Sequence, residues 1–282
     1  MAETPPSVSA KWGDLGVRAL SAAVLIPAVL ADVWAGGIWF HLFVALIGIL
    51  MAQEWVAIVH RGNPVQFALH SAGAMCGALL PLDVGLGGGL IAIALLSILS
   101  IALAAYEETG GPAWRYLGVP YVSIPLIALV LLREDPDYGI AAIVLIMLMV
   151  WAADTLAYFA GRIIGGPKLA PRISPKKTWA GLGGAMAGSA LGALAVGLWL
   201  GLPALVVLVM IAAAMAIVEQ AGDLFKSAMK RHYGVKDSGR LIPGHGGVID
   251  RVDGLVAVAT AAALIGVLKS GVEHSGAGIL LW

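Results

Sequence analysis

The feature that most constrains this chain is the recurrence of apolar segments about twenty residues long, separated by short polar joints. A helix rises ~1.5 Å per residue, so ~20 apolar residues cross the ~30 Å hydrocarbon core of a bilayer. Nine segments meet or approach that length: Gly16–Trp34, Gly37–Val59, Gln66–Leu82, Val84–Ala105, Trp114–Leu132, Gly139–Ile163, Trp179–Leu200, Pro203–Lys226 and Gly254–Leu268. In lipid every backbone N–H and C=O must be paired within its own segment, so such a chain folds as helices packed on one another. The expectation is an all-α, polytopic membrane bundle of about nine transmembrane helices, forming one domain over residues 1–282. The apolar tail Ala277–Trp282 either extends the last span or turns back into the bundle after Gly271. The segment behind Lys11 and Arg18 resembles a signal peptide, but the equally apolar segments after it argue for a retained first span.

Composition agrees. Only 12% of residues are charged and 60% are hydrophobic, where a soluble domain carries roughly 25% charge. Thirty-seven glycines in 282 residues are nearly twice the usual ~7% share, which suits close helix–helix approach in lipid. The single cysteine, Cys76, rules out an internal disulfide and sits in an apolar run as an inert thiol. Trp34, Trp55, Trp114 and Trp179 fall near proposed span ends, as in an aromatic belt.

The net charge is zero, so only its distribution is informative. With nine spans and an inside N-terminus, fifteen Lys and Arg residues fall on one side, and only Arg133 and Lys269 on the other. That asymmetry places the two long polar loops, around 162–177 and 226–251, in the cytoplasm of a plasma (inner) membrane protein.

These two loops carry the chemistry. The second, Ser227 to Asp253, contains Lys230, Arg231, Lys236, Arg240 and Arg251, the carboxylates Asp237, Asp250 and Asp253, and the bare backbone of Gly244-His245-Gly246-Gly247. Cations and exposed N–H groups bind phosphate, whereas clustered carboxylates bind Mg²⁺. Asp250 and Asp253 share a face if a helix begins there, and with Asp223 they supply the few protein oxygens that Mg²⁺ takes; N-capping alone would also explain either one. Along the end of the eighth span, Glu219, Asp223, Ser227 and Lys230 form one stripe of acid, acid, hydroxyl and base. The first loop ends Ser174-Pro175-Lys176-Lys177-Thr178, two ammonium groups and two hydroxyls just before a span, which reads as an anion site or as a headgroup anchor. Within the sixth span, Asp154 and Tyr158 are four apart on a face that continues to Gly161 and Arg162, and an ionisable group at membrane depth points to function. His245 stands alone between glycines, without Cys or His partners at zinc spacing.

The order Ser227-x-Met229-Lys230-Arg231, four residues, Lys236-Asp237-x-Gly239, two residues, Ile242-Pro243-x-His245-Gly246-Gly247-Val248-x-Asp250-Arg251-Val252-Asp253 resembles the signature of the phosphatidate cytidylyltransferase (CDP-diacylglycerol synthase) family. The Ser-Pro-Lys-Lys-Thr element at 174–178 and the Asp-x-x-Ala-Tyr pattern at 154–158 are similar to that family too, although Ala180 stands where its members usually have an acid. The resemblance implies condensation of CTP with phosphatidate in the bilayer to CDP-diacylglycerol and pyrophosphate, assisted by Mg²⁺ or Mn²⁺. It implies no nucleic-acid partner and leaves a homodimer open. Lys230, Arg231, Lys236, His245 and Arg251 are then expected at the reacting phosphates. Ser174, Lys176, Lys177, Thr178, Asp154, Tyr158, Ser227, Gly246 and Gly247 are expected to bind substrate, and Asp223, Asp250 and Asp253 the metal. Within this division Lys176 or Lys177 holds the lipid phosphate and Lys230 and Arg231 the nucleotide. Related enzymes that use CTP on lipids, such as a polyprenol kinase or a CDP-archaeol-type synthase, share much of this logic. A cation or proton transporter would explain Asp154, Glu219 and Asp223 as a relay, but not eleven cations in two cytoplasmic loops.

Overall fold

The computed structural model describes residues 23–106, 113–241 and 246–282. The described chain is a bundle of helices in sequence order: α1 (Ala23–Ala35), α2 (Gly37–Val59), α3 (Pro64–Asp83), α4 (Gly85–Tyr106), α5 (Trp114–Glu134), α6 (Gly139–Ile163), α7 (Trp179–Leu200), α8 (Leu205–His232), α9 (Ile249–Ser270) and α10 (Ser275–Leu280). Among the described residues, seven helices are long and apolar enough to cross a membrane: α2 and α4 to α9. The protein is therefore an all-α, multi-pass membrane protein.

The expectation of nine spans meets two differences. The first expected span begins before residue 23, so only its α1 portion lies within the described residues. The third is a helix of 20 residues, yet it is not among the seven apolar ones. Gln66 explains part of this. Its Nε2 donates to Ser100 O at 3.0 Å, and Ser100 Oγ donates back to Gln66 Oε1 at 2.6 Å, a buried polar clasp between α3 and α4.

The polar loop before α7 is also more ordered than a loop. Strands β1 (Lys168–Ala170) and β2 (Ser174–Thr178) pair as an antiparallel hairpin, a small β element within the α fold. Pro175 holds the backbone extended at the start of the Lys-Lys-Thr run. Thr178 then caps α7, its Oγ1 accepting from Gly181 N at 3.0 Å.

Glycines set the closest helix contacts. On α7, an ideal Cβ at Gly184, Gly188 or Gly192 would lie 2.5, 2.2 and 2.9 Å from the carbonyls of Leu156, Ala152 and Leu148 on α6. One stripe at four-residue spacing thus lets two backbones touch. Gly222 brings α8 against α9, where a Cβ would meet Ala257 at 2.7 Å. After α9 the chain turns at Gly271, whose φ of +84° favours glycine, and α10 folds back so that Gly278 abuts Gly266. The tail therefore re-enters the bundle. The core between these layers is built from Met51, Trp55, Leu126, Leu145, Ile146 and Leu208, all fully buried.

Candidate active site

Two polar loops separated by the two spans α7 and α8 converge on one cavity of about 570 Å³, at the ends of α6, α8 and α9 beside the β-hairpin. Helix α6 contributes Asp154, Tyr158 and Arg162; the hairpin and α7 start contribute Lys176, Lys177 and Thr178. Helix α8 adds Glu219, Gln220, Asp223 and Lys226, and α9 adds Asp250, Arg251 and Asp253. Five carboxylates and five cations therefore line one cavity.

The spacing along α8 explains the arrangement. Residues 219, 223, 226 and 230 recur at three and four, so they project from one face of the helix toward α9 and the hairpin. Lys226 Nζ stands amid three aspartates, 2.9 Å from Asp223 Oδ1, 2.5 Å from Asp253 Oδ2 and 3.5 Å from Asp250 Oδ1. Lys177 Nζ crosses from the hairpin to Asp223 Oδ2 and Gln220 Oε1, both at 2.5 Å. Lys230 bonds Asp250 Oδ1. On α6, Arg162 donates to Tyr158 Oη at 2.7 Å, so these two act as one unit in the cavity lining. Ion pairs of this kind survive in a buried site because each charge meets an opposite one; removing either partner leaves an expensive lone charge.

Of the residues expected from sequence, the cavity brings together Asp154, Tyr158, Lys176, Lys177, Thr178, Asp223, Asp250, Arg251 and Asp253, with Lys230 bonded to its edge. Thr178 is 3% exposed and its hydroxyl oxygen already caps α7. Ser174, Ser227, Arg231 and Lys236 are not among the lining residues. Ser174 pairs with Ala170 in the hairpin, Arg231 reaches back to Ile173 O at 3.4 Å, and Lys236 is exposed. Gly246 has φ +86°, which favours glycine, and Gly247 is buried. A Cβ on Gly247 would fall 2.5 Å from Glu54 Oε2 and 2.1 Å from Ser238 Oγ, so a larger residue there would displace these two side chains. His245 lies outside the described residues.

Three residues that sequence reasoning leaves out of the site belong in it or beside it, one being Gln220, which lines the cavity and accepts from Lys177 Nζ. Lys226 reads as the end of a span, although its place three residues after Asp223 is the available signal. Glu54 sits within the last turns of the apolar segment Gly37–Val59, where an acid among apolar neighbours is costly and its presence alone is the clue. It is 5% exposed and accepts hydrogen bonds from Val248 N at 2.7 Å and Ile249 N at 3.0 Å.

Among the described residues no three His, Cys, Asp or Glu side chains stand in a metal-holding group. The ammonium of Lys226 instead occupies the focus of Asp223, Asp250 and Asp253. The donor set nevertheless suits a hard cation. It is made of carboxylate oxygens, it already surrounds one positive charge, and the carboxyl groups of Asp154 and Glu219 line the same cavity.

A cavity lined by carboxylates and lysines has the chemistry to hold cations and phosphate groups. Comparison with known proteins makes this specific: the chain belongs to the cytidylyltransferase family, whose model matches residues 16–268. It is 41% identical over 264 residues to a phosphatidate cytidylyltransferase of Brucella abortus biovar 1, covering 90% of this chain and 94% of the relative. A phosphatidate cytidylyltransferase of Pseudomonas aeruginosa is 37% identical over 253 residues, covering 85% of this chain and 92% of its own. One from Staphylococcus epidermidis is 32% identical over 251 residues, covering 86% and 95%.

Proposed function

We infer that this protein is a nucleotidyltransferase that moves CMP from CTP to phosphatidate, giving CDP-diacylglycerol and pyrophosphate for phospholipid synthesis. The observation that carries this reading is the convergence of both basic loops on one carboxylate-lined cavity in a chain of this family.

The reaction needs little proton chemistry. An oxygen of the lipid phosphate, anionic at neutral pH, attacks the α-phosphorus of CTP. The bond from that phosphorus to the bridging oxygen of the β-phosphate breaks, and pyrophosphate leaves with the electron pair. The barrier lies in bringing two polyanions together and in carrying the charge of the leaving group. Lys176, Lys177, Lys226, Lys230 and Arg251 supply positive charge around the cavity, and Arg162, bonded to Tyr158, adds to it. Asp223, Asp250 and Asp253 would hold a divalent cation, Mg²⁺ or Mn²⁺, which would supply further neutralisation of phosphate charge. For a metal to take that place, Lys226 must release carboxylates it now holds, and it is then free to pair with phosphate.

The same reading gives a chain that crosses the plasma (inner) membrane nine times, with spans at 16–34 and 66–82 added to the seven. Both polar loops then face the cytoplasm, where CTP is, and the lipid keeps its acyl chains in the bilayer. Fifteen cations on one side against two on the other support this orientation.

Detergent-solubilised protein incubated with phosphatidate and CTP labelled on the α-phosphate tests the reading. Label in a lipid product with release of pyrophosphate is expected. Label remaining in free nucleotide while the γ-phosphate appears on lipid would instead mean a kinase, and no transfer of either would remove the enzymatic reading.

A further inference from the structure

Glu54 comes from α2, more than 180 residues away from its partners, and accepts its hydrogen bonds from residues so far given no role in the reaction. Its carboxylate nevertheless holds the ground on which the site stands. Oε1 accepts from Val248 N at 2.7 Å; Oε2 accepts from Ile249 N at 3.0 Å and lies 2.8 Å from Ser238 Oγ. The first N–H groups of a helix have no partner within it and carry the positive end of its dipole, so a buried carboxylate there is doubly favoured. Glu54 thus acts as the N-terminal cap of α9, supplied from another span.

Asp250 and Arg251 come directly after Ile249 in α9, and Asp253 stands one turn further on. Ser238 extends the link. Its N donates to Asp250 Oδ2 at 2.8 Å, and its Oγ lies 3.0 Å from the same oxygen. Having one proton, that hydroxyl donates to Glu54 or to Asp250 at any moment and bridges the two carboxylates. The backbone is shaped to this acid. An ideal Cβ would come 2.6 Å from Glu54 Oε1 at Gly239 and 2.5 Å from Oε2 at Gly247, so the chain passes on both sides of the carboxylate with no room for a side chain.

We propose that Glu54 is a positioning residue for the transfer reaction: by tying Val248, Ile249 and Ser238 to α2 it fixes where α9 begins, and hence where Asp250 and Asp253 stand against Lys226 and Lys230. The role rests on the function proposed above. A carboxylate suits it better than a carboxamide. Glutamine offers one oxygen, and turns an N–H group toward donors that need an acceptor.

The test is Glu54→Gln, with turnover and amide exchange measured on the purified, monodisperse protein. Turnover is expected to fall by about tenfold or more, and the amides of Val248 and Ile249 to exchange about tenfold faster, as for a lost buried hydrogen bond. Peptides from α6 and α7 are expected to keep wild-type exchange. Faster exchange throughout the bundle would mark a general folding role and overturn the assignment, as would unchanged turnover with unchanged exchange at 248–249. If Glu54→Gln yields no folded protein, Ser238→Ala decides: a several-fold loss of turnover with local loosening at 248–249 is expected, and wild-type behaviour overturns the proposal. A wild-type protein that transfers no CMP would refute the function instead, while the exchange measurement would still report whether Glu54 holds the start of α9.

Discussion

Lys177 Nζ lies 2.5 Å from Asp223 Oδ2, joining the hairpin before α7 to the middle of α8. The pair is about one-fifth exposed on each side, so water screens it only partly. The two basic loops therefore share a site, and Lys177 already serves the carboxylate cluster rather than standing free for a headgroup. Its neighbour Lys176 is exposed on the same cavity wall.

This divides the two lysines. Lys176→Ala should raise the apparent KM for phosphatidate several-fold and leave that for CTP nearly unchanged. Lys177→Ala should lower turnover by more than about tenfold, roughly 1.4 kcal/mol of barrier, and disturb both substrates alike. Steady-state kinetics in mixed micelles, varying each substrate in turn, measures both. A selective phosphatidate defect in Lys177→Ala would reverse the assignment.

The aspartates give a second prediction. Asp223→Asn, Asp250→Asn or Asp253→Asn should each lower turnover by at least about tenfold in protein that remains folded and monodisperse. Activity should vanish in chelator and return with Mg²⁺ or Mn²⁺. An Asp250→Asn enzyme that keeps more than a tenth of the rate would leave that residue to its structural bonds with Ser238 and Lys230.

Orientation is testable with thiols in a Cys76→Ser background. Ser238 is a poor place for the probe, being 6% exposed and bonded to Glu54. Asp237 beside it is exposed, so Asp237→Cys is the variant of choice. It should resist an impermeant maleimide in intact cells and react once they are permeabilised. Labelling in intact cells would place the loop outside, away from CTP.

The glycine stripe predicts a stability effect with no catalytic cause. At Gly188 a methyl group would overlap the Ala152 carbonyl, a backbone atom that cannot swing aside. Gly188→Ala should therefore cost about 1–3 kcal/mol, read as a lower thermal midpoint in detergent. Gly183→Ala, one position from the stripe's first glycine and with open space around it, should cost little. Equal midpoints for the two variants would show that α6 and α7 have room to part.

The sequence by itself determined the class of this protein and most of its chemistry. Apolar length dictates helices in lipid, and the residues expected at the site from α6, α8 and α9 mostly meet because three- and four-residue spacing puts them on one helical face. What it could not reveal depends on contacts between distant segments. The clasp of Gln66 and Ser100 ties α3 to α4 across residues far apart in sequence, whereas the hairpin of 168–170 with 174–178 is a local pairing that no apolar alternation announces. Lys226 reads as the end of a span until α9 brings Asp250 and Asp253 to it. Glu54 reads as an isolated acid until α9 begins at its carboxylate. Local spacing says which face of a helix a side chain takes; only the packing of helices far apart in sequence decides what that face meets.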